Sequence, residues 1–376
     1  MKIIFFANTE WYLFNFRLSL AKALQAQGHE MLLISPPGEY GDRLQSLGFR
    51  WEALPMDRRS LDPLRELRLL AYLCRLYRRV DPALAHHFTI KCVVYGSIAA
   101  LIARVPARVN SVAGMGYVFT NQAFKARLLR PVVRGLMRLV LNGRGARLIL
   151  QNNDDVAAFA QAKLARSELV RLVKGSGVDL SRFQPSAKQA LASHKPTRVL
   201  LAARLLWDKG IAEYVEAARQ LRARNIPIRF LLAGAPDDGN PAAIAQATLN
   251  SWSAEGLIEL LGQVSDMAEL YATVDMVVLP SYREGLPKSL IEAAACALPL
   301  ITTDAPGCRE VVTHEADGLI VPIKDATALA NAIERLHLNK DLAHRLGQAA
   351  RRRAINEFDE NIVIQKTLAI YEELLG

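Results

Sequence analysis

The sequence lacks most of the features that would tie a chain to a membrane span, a metal or a disulfide framework. No apolar run reaches the roughly 18 residues that a spanning helix needs. The N-terminal MKIIFFANTEW has neither the long apolar segment nor the cleavage site of a signal peptide. Cysteine is scarce: Cys74, Cys92, Cys296 and Cys308 stand far apart without metal-type spacing, which suits reduced thiols in the cytoplasm. Aromatic residues are 7% of the chain and do not interleave with the basic ones, so no nucleic-acid partner is expected. There is no short internal repeat and no low-complexity segment. Between 101 and 150 there is no acidic residue at all, against nine Lys and Arg.

What is present implies two α/β domains. At 376 residues the chain is too long for one ordinary domain, and 51% hydrophobic with 22% charged residues is enough to fill two cores. The net charge of +10 is divided unevenly. Residues 1–190 hold 28 Lys and Arg against 13 Asp and Glu, net +15, whereas residues 191–376 hold 19 against 24, net −5. Halves of opposite sign suggest different partners. Arg127, Arg130, Arg134 and Arg138 recur at helical spacing, and Arg65, Arg68, Arg75 and Arg79 repeat the design earlier. A basic amphipathic helix can rest on an anionic membrane surface, each nearby cation contributing about 1 kcal/mol. The same pattern also describes the solvated face of a core helix. The expectation is a cytoplasmic protein held peripherally on the inner membrane by its basic first half.

Short apolar runs at 2–7, 30–35, 83–88, 108–112 and 146–151 read as buried strands, with helical periodicity between them, as at 14–27 and 63–79. The alternation resumes at 198–203, 228–233, 258–261, 276–280 and 299–303. Alternating strands and helices give parallel sheets with helices on both faces, here twice. The expected division is a first domain over 1–185, a linker over 186–197 and a second domain over 198–357. Ligands of such sheets bind beyond the carboxyl ends of the strands, so the cleft between two such domains is the natural site.

The strand-end loops of the second half hold the chemistry. Arg204 and Lys209 follow the strand at 198–203 and lead into a helix near Ile211. A planar guanidinium fork and a mobile ammonium suit a diphosphate, although surface Arg and Lys are common. After the strand at 276–280 comes SYREGLPKSLIEAAACALPL, with Glu284 in the turn and a helix starting near Pro287. The free N–H groups of that helix end form an anion site, to which Ser289 adds a hydroxyl and Lys288 a charge. Glu292 lies eight residues after Glu284, inside an apolar run where a carboxylate needs a partner or a ligand. One glutamate can hold a ribose and the other a hexose, with a diphosphate between.

Arg204 and Lys209, Glu284 and Glu292, and the following PGCRE turn at 306–310 together resemble the GT4 family of retaining glycosyltransferases. The likeness covers most of the chain and is strongest in 170–325, including GSGVD at 175–179 and DGL at 317–319. It implies a GT-B fold: two Rossmann-like domains facing a central cleft, the first binding acceptor and the second donor, with a C-terminal helix within 358–376 crossing back onto the first. It implies that Arg204 and Lys209 bind the donor diphosphate, that Glu284 contacts the transferred sugar and that Glu292 binds the ribose. Gly234, Leu286, Pro287, Lys288 and Ser289 complete the expected donor set, with Arg204, Lys209 and Glu284 as the catalytic residues. The Asp-x-Asp motif by which GT-A transferases hold a metal is missing, so protein cations are expected to do that work, with no metal or other cofactor. The family is thought to react on the front face of the sugar, so Glu284 positions rather than attacks.

The first half resembles a narrower branch, bacterial enzymes that extend sugars on polyprenyl-diphosphate carriers. The likeness rests on NTEWYLFNFR at 8–17, HHFTIK at 86–91 and GMGYVF at 114–119. It implies transfer of a hexose or N-acetylhexosamine from a nucleotide diphosphate sugar, with UDP the leading base, to a lipid-linked saccharide. Acceptor-site candidates are Asn8, Thr9, Glu10, His86, His87, Lys91, Gly114, Gly116 and Tyr117; for the histidines a packed core role is an equal reading. Two departures stand out. The loop 8–11 has no glycine, and Ala113 or its neighbour stands where many members carry a histidine. A transferase acting on a soluble sugar or sugar phosphate, and a non-catalytic sugar-nucleotide-binding protein, are the alternatives.

Overall fold

A computed structural model describes residues 1–57, 60, 62–112, 124–186, 196–237 and 240–376, those at 124–130 by their backbone alone. Met1–Ser176 with Val363–Gly376 form one compact unit, and Gly177–Ile362 the other.

The first unit is built on seven parallel strands: β1 Lys2–Phe6, β2 Glu30–Ser35, β3 Arg50–Ala53, β4 Leu84–Phe88, β5 Ala107–Val112, β6 Ala146–Leu150 and β7 Val170–Leu172, in the order β3-β2-β1-β4-β5-β6-β7. Side chains of a strand alternate between faces, and β1 shows the consequence. Ile3 and Phe5 join a core that includes Val363, Ile364, Leu368 and Tyr371 of the last helix, Glu360–Leu375. Ile4 and Phe6 face the opposite core, with Leu73 and Tyr77 of the helix Pro63–Val80. That helix begins at an Asp62 cap, whose Oδ1 accepts from Leu64 N–H at 2.9 Å, with Pro63 in its first turn.

The second unit has six parallel strands: β8 Thr197–Ala202, β9 Ile228–Ala233, β10 Glu259–Gly262, β11 Met276–Leu279, β12 Leu300–Thr303 and β13 Leu319–Val321, in the order β10-β9-β8-β11-β12-β13. Here too the alternation holds, with Val199 and Leu201 in one core and Leu200 in the other.

Several expectations change. The strands β3, β7 and β13 are too short for the apolar-run signal, and β3 and β7 also carry charged residues; they form against the hydrogen-bonding edge of a neighbour. The single helix expected over 14–27 is broken: a π turn, Leu13–Arg17, precedes the helix Leu18–Ala26. Residues 177–185 belong with the second unit rather than the first, because Val178 and Phe183 enter its core and Val178 N–H bonds to Phe358 O at 2.8 Å. Most of the expected linker lies outside the described residues, as do Ala113, Gly114, Gly116 and Tyr117. The last helix changes unit at 362/363, so its body packs with the first sheet, held there by Glu373 against Arg147 at 2.7 Å and against Arg171. Among the described residues no helix is long and apolar enough to cross a membrane.

Candidate functional site

In the second sheet, β8 and β11 are neighbours from which the chain order runs outward in opposite directions. Their carboxyl ends mark the crevice where doubly wound sheets take ligands. Four expected donor residues, Arg204, Lys209, Glu284 and Glu292, come from the two loops and the helix that follow these two strands.

The two loops are fastened to each other. Tyr282 N–H donates to Asp208 O at 2.9 Å, and Ser281 Oγ–H to the same oxygen at 3.1 Å. Gly210 closes the short turn Trp207–Lys209 at φ 71°, and a Cβ there would strike the Pro280 carbonyl. Only glycine meets both demands. Gly234, just past β9, likewise leaves no room for a Cβ against the Ala203 carbonyl. On the other side, Glu284 N–H donates to Pro306 O at 2.9 Å, tying the loop after β11 to the PGCRE turn after β12.

These bonds bring Lys209 Nζ within 2.6 Å of Glu284 Oε1, both side chains largely buried. Arg204 stays open to solvent, its side chain 59% exposed, and is steadied by Asp237 Oδ2 at 2.9 Å. Asp237, four residues past β9, escaped the sequence reading; its position after a strand end was the available signal. The turn after β11 leads to Leu286, which is buried, and to Pro287, which caps the eight-residue helix Lys288–Ala295. The first N–H groups of a helix have no partner within it and make an electropositive end suited to an anion.

Glu292 is only 8% exposed. Its carboxylate lies 3.7 Å from Lys288 Nζ and accepts from Tyr271 Oη at 3.4 Å; the same hydroxyl donates to Ser289 O at 3.0 Å. Burial raises the Glu292 carboxyl above the ordinary range, against the opposing pull of Lys288 and Arg182. Tyr271 and Arg182 had no signal in the sequence, since they stand 21 and 110 residues from Glu292. A crevice with cations at its centre, a helix end beside them and two carboxylates flanking them can hold a diphosphate and accept hydrogen bonds from hydroxyls on either side.

The first-unit candidates are less convergent. Asn8 and Thr9 are half-buried at the carboxyl end of β1; Thr9 Oγ1 accepts from Tyr12 N–H at 3.1 Å, and Glu10 is packed against Gly38. His86 and His87 are buried core residues, as the packed reading expects. His86 bonds to the Tyr371 hydroxyl and, at 2.6 Å, to Ser111 Oγ. His87 bonds to Tyr77 Oη at 3.2 Å and Asn110 Oδ1 at 2.9 Å. Burial keeps His86 well below its ordinary pKa and brings His87 down to about 4, so both are neutral at pH 7. Neither has a ring nitrogen left for an acceptor. Lys91 is also occupied, its Nζ donating to Asp57 O at 2.7 Å, Ser60 O at 3.0 Å and Glu66 Oε1 at 2.8 Å. It holds a loop rather than reaching for a phosphate. Arg138, from one basic stripe, donates to Lys163 O at 2.9 Å and Ala162 O at 3.0 Å, capping a helix end.

Two family models match the chain: Glycosyl transferase 4-like over residues 2–153 and Glycosyl transferases group 1 over residues 182–353. The chain is 31% identical to the N,N'-diacetylbacillosaminyl-diphospho-undecaprenol alpha-1,3-N-acetylgalactosaminyltransferase of Campylobacter jejuni, over 100% of this chain and 99% of that protein. It is 24% identical to the UDP-Gal:alpha-D-GlcNAc-diphosphoundecaprenol alpha-1,3-galactosyltransferase of Escherichia coli, over 84% of this chain and 82% of that protein. Among solved structures, Anabaena Alr3699/HepE in complex with UDP-glucose superposes with a TM-score of 0.81 at 22% identity, over 99% of this chain and 100% of that one.

Proposed function

This chain belongs to the GT4 family of GT-B glycosyltransferases, and from that premise we propose that it moves a hexose or N-acetylhexosamine, with retention, from a UDP-sugar to a saccharide on a polyprenyl diphosphate. The observation that carries the reading is the crevice between β8 and β11, where Arg204, Lys209 and the N-terminus of Lys288–Ala295 surround the place a diphosphate would take. The acceptor class is supported by the full-length relative, whose name specifies a diphospho-undecaprenol acceptor. The uridine base is supported by the Escherichia coli relative and by the ligand in HepE.

Sugar departure leaves charge on the diphosphate. Arg204, Lys209 and the helix end stabilise that charge electrostatically, the kind of term that usually dominates such catalysis. We assign the metal's usual part to these cations and propose that the reaction needs no divalent ion. Glu284 orients the transferred sugar through its hydroxyls, and Lys209 keeps Glu284 in place. Glu292, with Lys288 Nζ 3.7 Å away, takes the ribose hydroxyls. The reaction proceeds on one face of the sugar, a donor phosphate oxygen drawing the proton from the acceptor hydroxyl.

The test is nucleotide release from a panel of UDP- and GDP-sugars, with and without a polyprenyl-diphosphate saccharide, in EDTA. Acceptor-dependent release from one UDP-sugar is expected. Release only with added metal would sink the cation assignment, and transfer only to soluble sugars would sink the acceptor class.

A further inference from the structure

The first unit contains a buried cation that has no counter-charge among the described residues. Arg17 is 6% exposed and stands at the end of the π turn Leu13–Arg17, with its backbone at φ −129° and ψ −3°. Such wide turns inside helices recur at functional sites. The guanidinium carbon lies 4.6 Å from the centre of the Phe88 ring and 5.3 Å from that of Tyr12. Nη2–H donates to Tyr12 Oη at 2.7 Å, while Nε is buried with no partner. Among the described residues no carboxylate comes within ion-pair distance of it. Glu10, buried seven residues earlier, packs on Gly38 instead. His86 and Tyr371, which also feel its charge, carry no negative charge at pH 7.

Ring faces offset part of the desolvation, by about 0.5–2 kcal/mol each. Five N–H donors with one hydrogen bond are still far from satisfied. Location gives the deficit a meaning. Phe88 ends β4, and Tyr12 follows β1. These strands are neighbours from which the chain order runs outward both ways, so Arg17 stands over the topological switch point of the first sheet. Arg108, which also has an unpartnered buried Nε, sits at the amino end of β5, away from that edge.

We propose that Arg17 is the anion-binding residue of the first unit and receives a phosphate oxygen of the diphosphate-linked acceptor on its unpaired N–H edge. The proposal rests on the acceptor class given above. A guanidinium suits the task because its planar fork bonds phosphate bidentately. Stacking on Phe88 and Tyr12 fixes the fork before the ligand arrives, which reduces the ordering cost of binding.

The test compares two acceptors bearing the same saccharide, one on a prenyl diphosphate and one on a phosphate-free alkyl chain, using the full-length protein. Wild type is expected to show the lower KM for the diphosphate form. Arg17→Met is expected to raise that KM about tenfold or more, leaving the KM of the alkyl glycoside and of the donor within about twofold. Folded Arg17→Met that still prefers the diphosphate acceptor overturns the role of Arg17 and leaves the acceptor class standing. Wild type that ignores the diphosphate, or uses neither acceptor, overturns both. A rise in donor KM alone would put the cation on the donor phosphate and overturn the proposal. Should Arg17→Met not fold, Arg17→Lys keeps the charge without the fork: a several-fold loss of discrimination is expected, and none would refute the site.

Discussion

Lys209 Nζ and Glu284 Oε1 meet at 2.6 Å across 75 residues of sequence, at the point where the loops after β8 and β11 are bonded together. Neither side chain has much solvent, so each sets the position of the other. A cation meant for a diphosphate and a carboxylate meant for a sugar hydroxyl thus form one unit.

Removing either member should cost turnover with the fold intact. Glu284→Gln is expected to lower kcat by about 100-fold or more, and Lys209→Met by a similar factor. Because the two act together, the double variant should lose much less than the product of the single losses. Losses that multiply, in steady-state rates of all four proteins, would show two independent residues.

Arg204 is more exposed and, among the described residues, pairs with one acidic residue, Asp237. Arg204→Ala should weaken UDP binding about tenfold, as loss of a charged hydrogen bond does, and Asp237→Asn less. Calorimetric titration with UDP decides; equal affinity in Arg204→Ala would remove it from the diphosphate.

Gly210 has a left-handed backbone and no space for a Cβ beside Pro280 O. Gly210→Ala should therefore lose more than about 1 kcal/mol in a urea titration with unchanged slope. A neutral result would mean that the two loops are not locked as described.

Burial lifts the Glu292 carboxyl above its ordinary 4.5. A folded-state value above the unfolded one means that the native protein binds the proton more tightly. The associated stability is present below the unfolded value and is lost as pH rises through the folded one. Glu292→Gln stays neutral throughout, so without nucleotide it should outlast wild type in thermal melts near pH 7, the gap closing toward about pH 4. With UDP added the order should reverse, because the ribose contact is gone. An equal UDP-induced shift in both proteins would rule out the ribose role.

Leu64 and Leu67, 67% and 62% exposed, stand beside Arg65 and Arg68, and Val132 and Leu139 are exposed near Arg134 and Arg138. Apolar side chains among cations are what an anionic bilayer surface takes up. Flotation with vesicles containing phosphatidylglycerol should capture the wild type, and Leu64→Ser with Leu67→Ser should reduce capture several-fold. Equal capture would exclude this face.

The division between sequence and structure follows from the range of the forces involved. Buried parallel strands need continuous apolar runs, so β1, β2, β4, β5, β6, β8, β9, β10, β11 and β12 announced themselves, and so did the cations and glutamates that follow strand ends. A strand end is a local signal, and donor-site chemistry in this architecture sits at strand ends. The sequence by itself therefore determined the two α/β units, their unequal charge and the residue types of the second crevice. Pairings across tens or hundreds of residues were left to packing. The edge strands β3, β7 and β13 depend on a neighbour's hydrogen bonds, and the fate of a polar side chain depends on what surrounds it. His86, His87 and Lys91 were open between ligand and structural roles in the sequence, and in the fold each is hydrogen-bonded to partners around it. Arg17 stood in the sequence only as the end of the 8–17 segment, yet in the fold it is buried with no carboxylate in ion-pair reach among the described residues. Only tertiary structure could tell these apart, because whether a polar group is spent or available is a property of its neighbours in space.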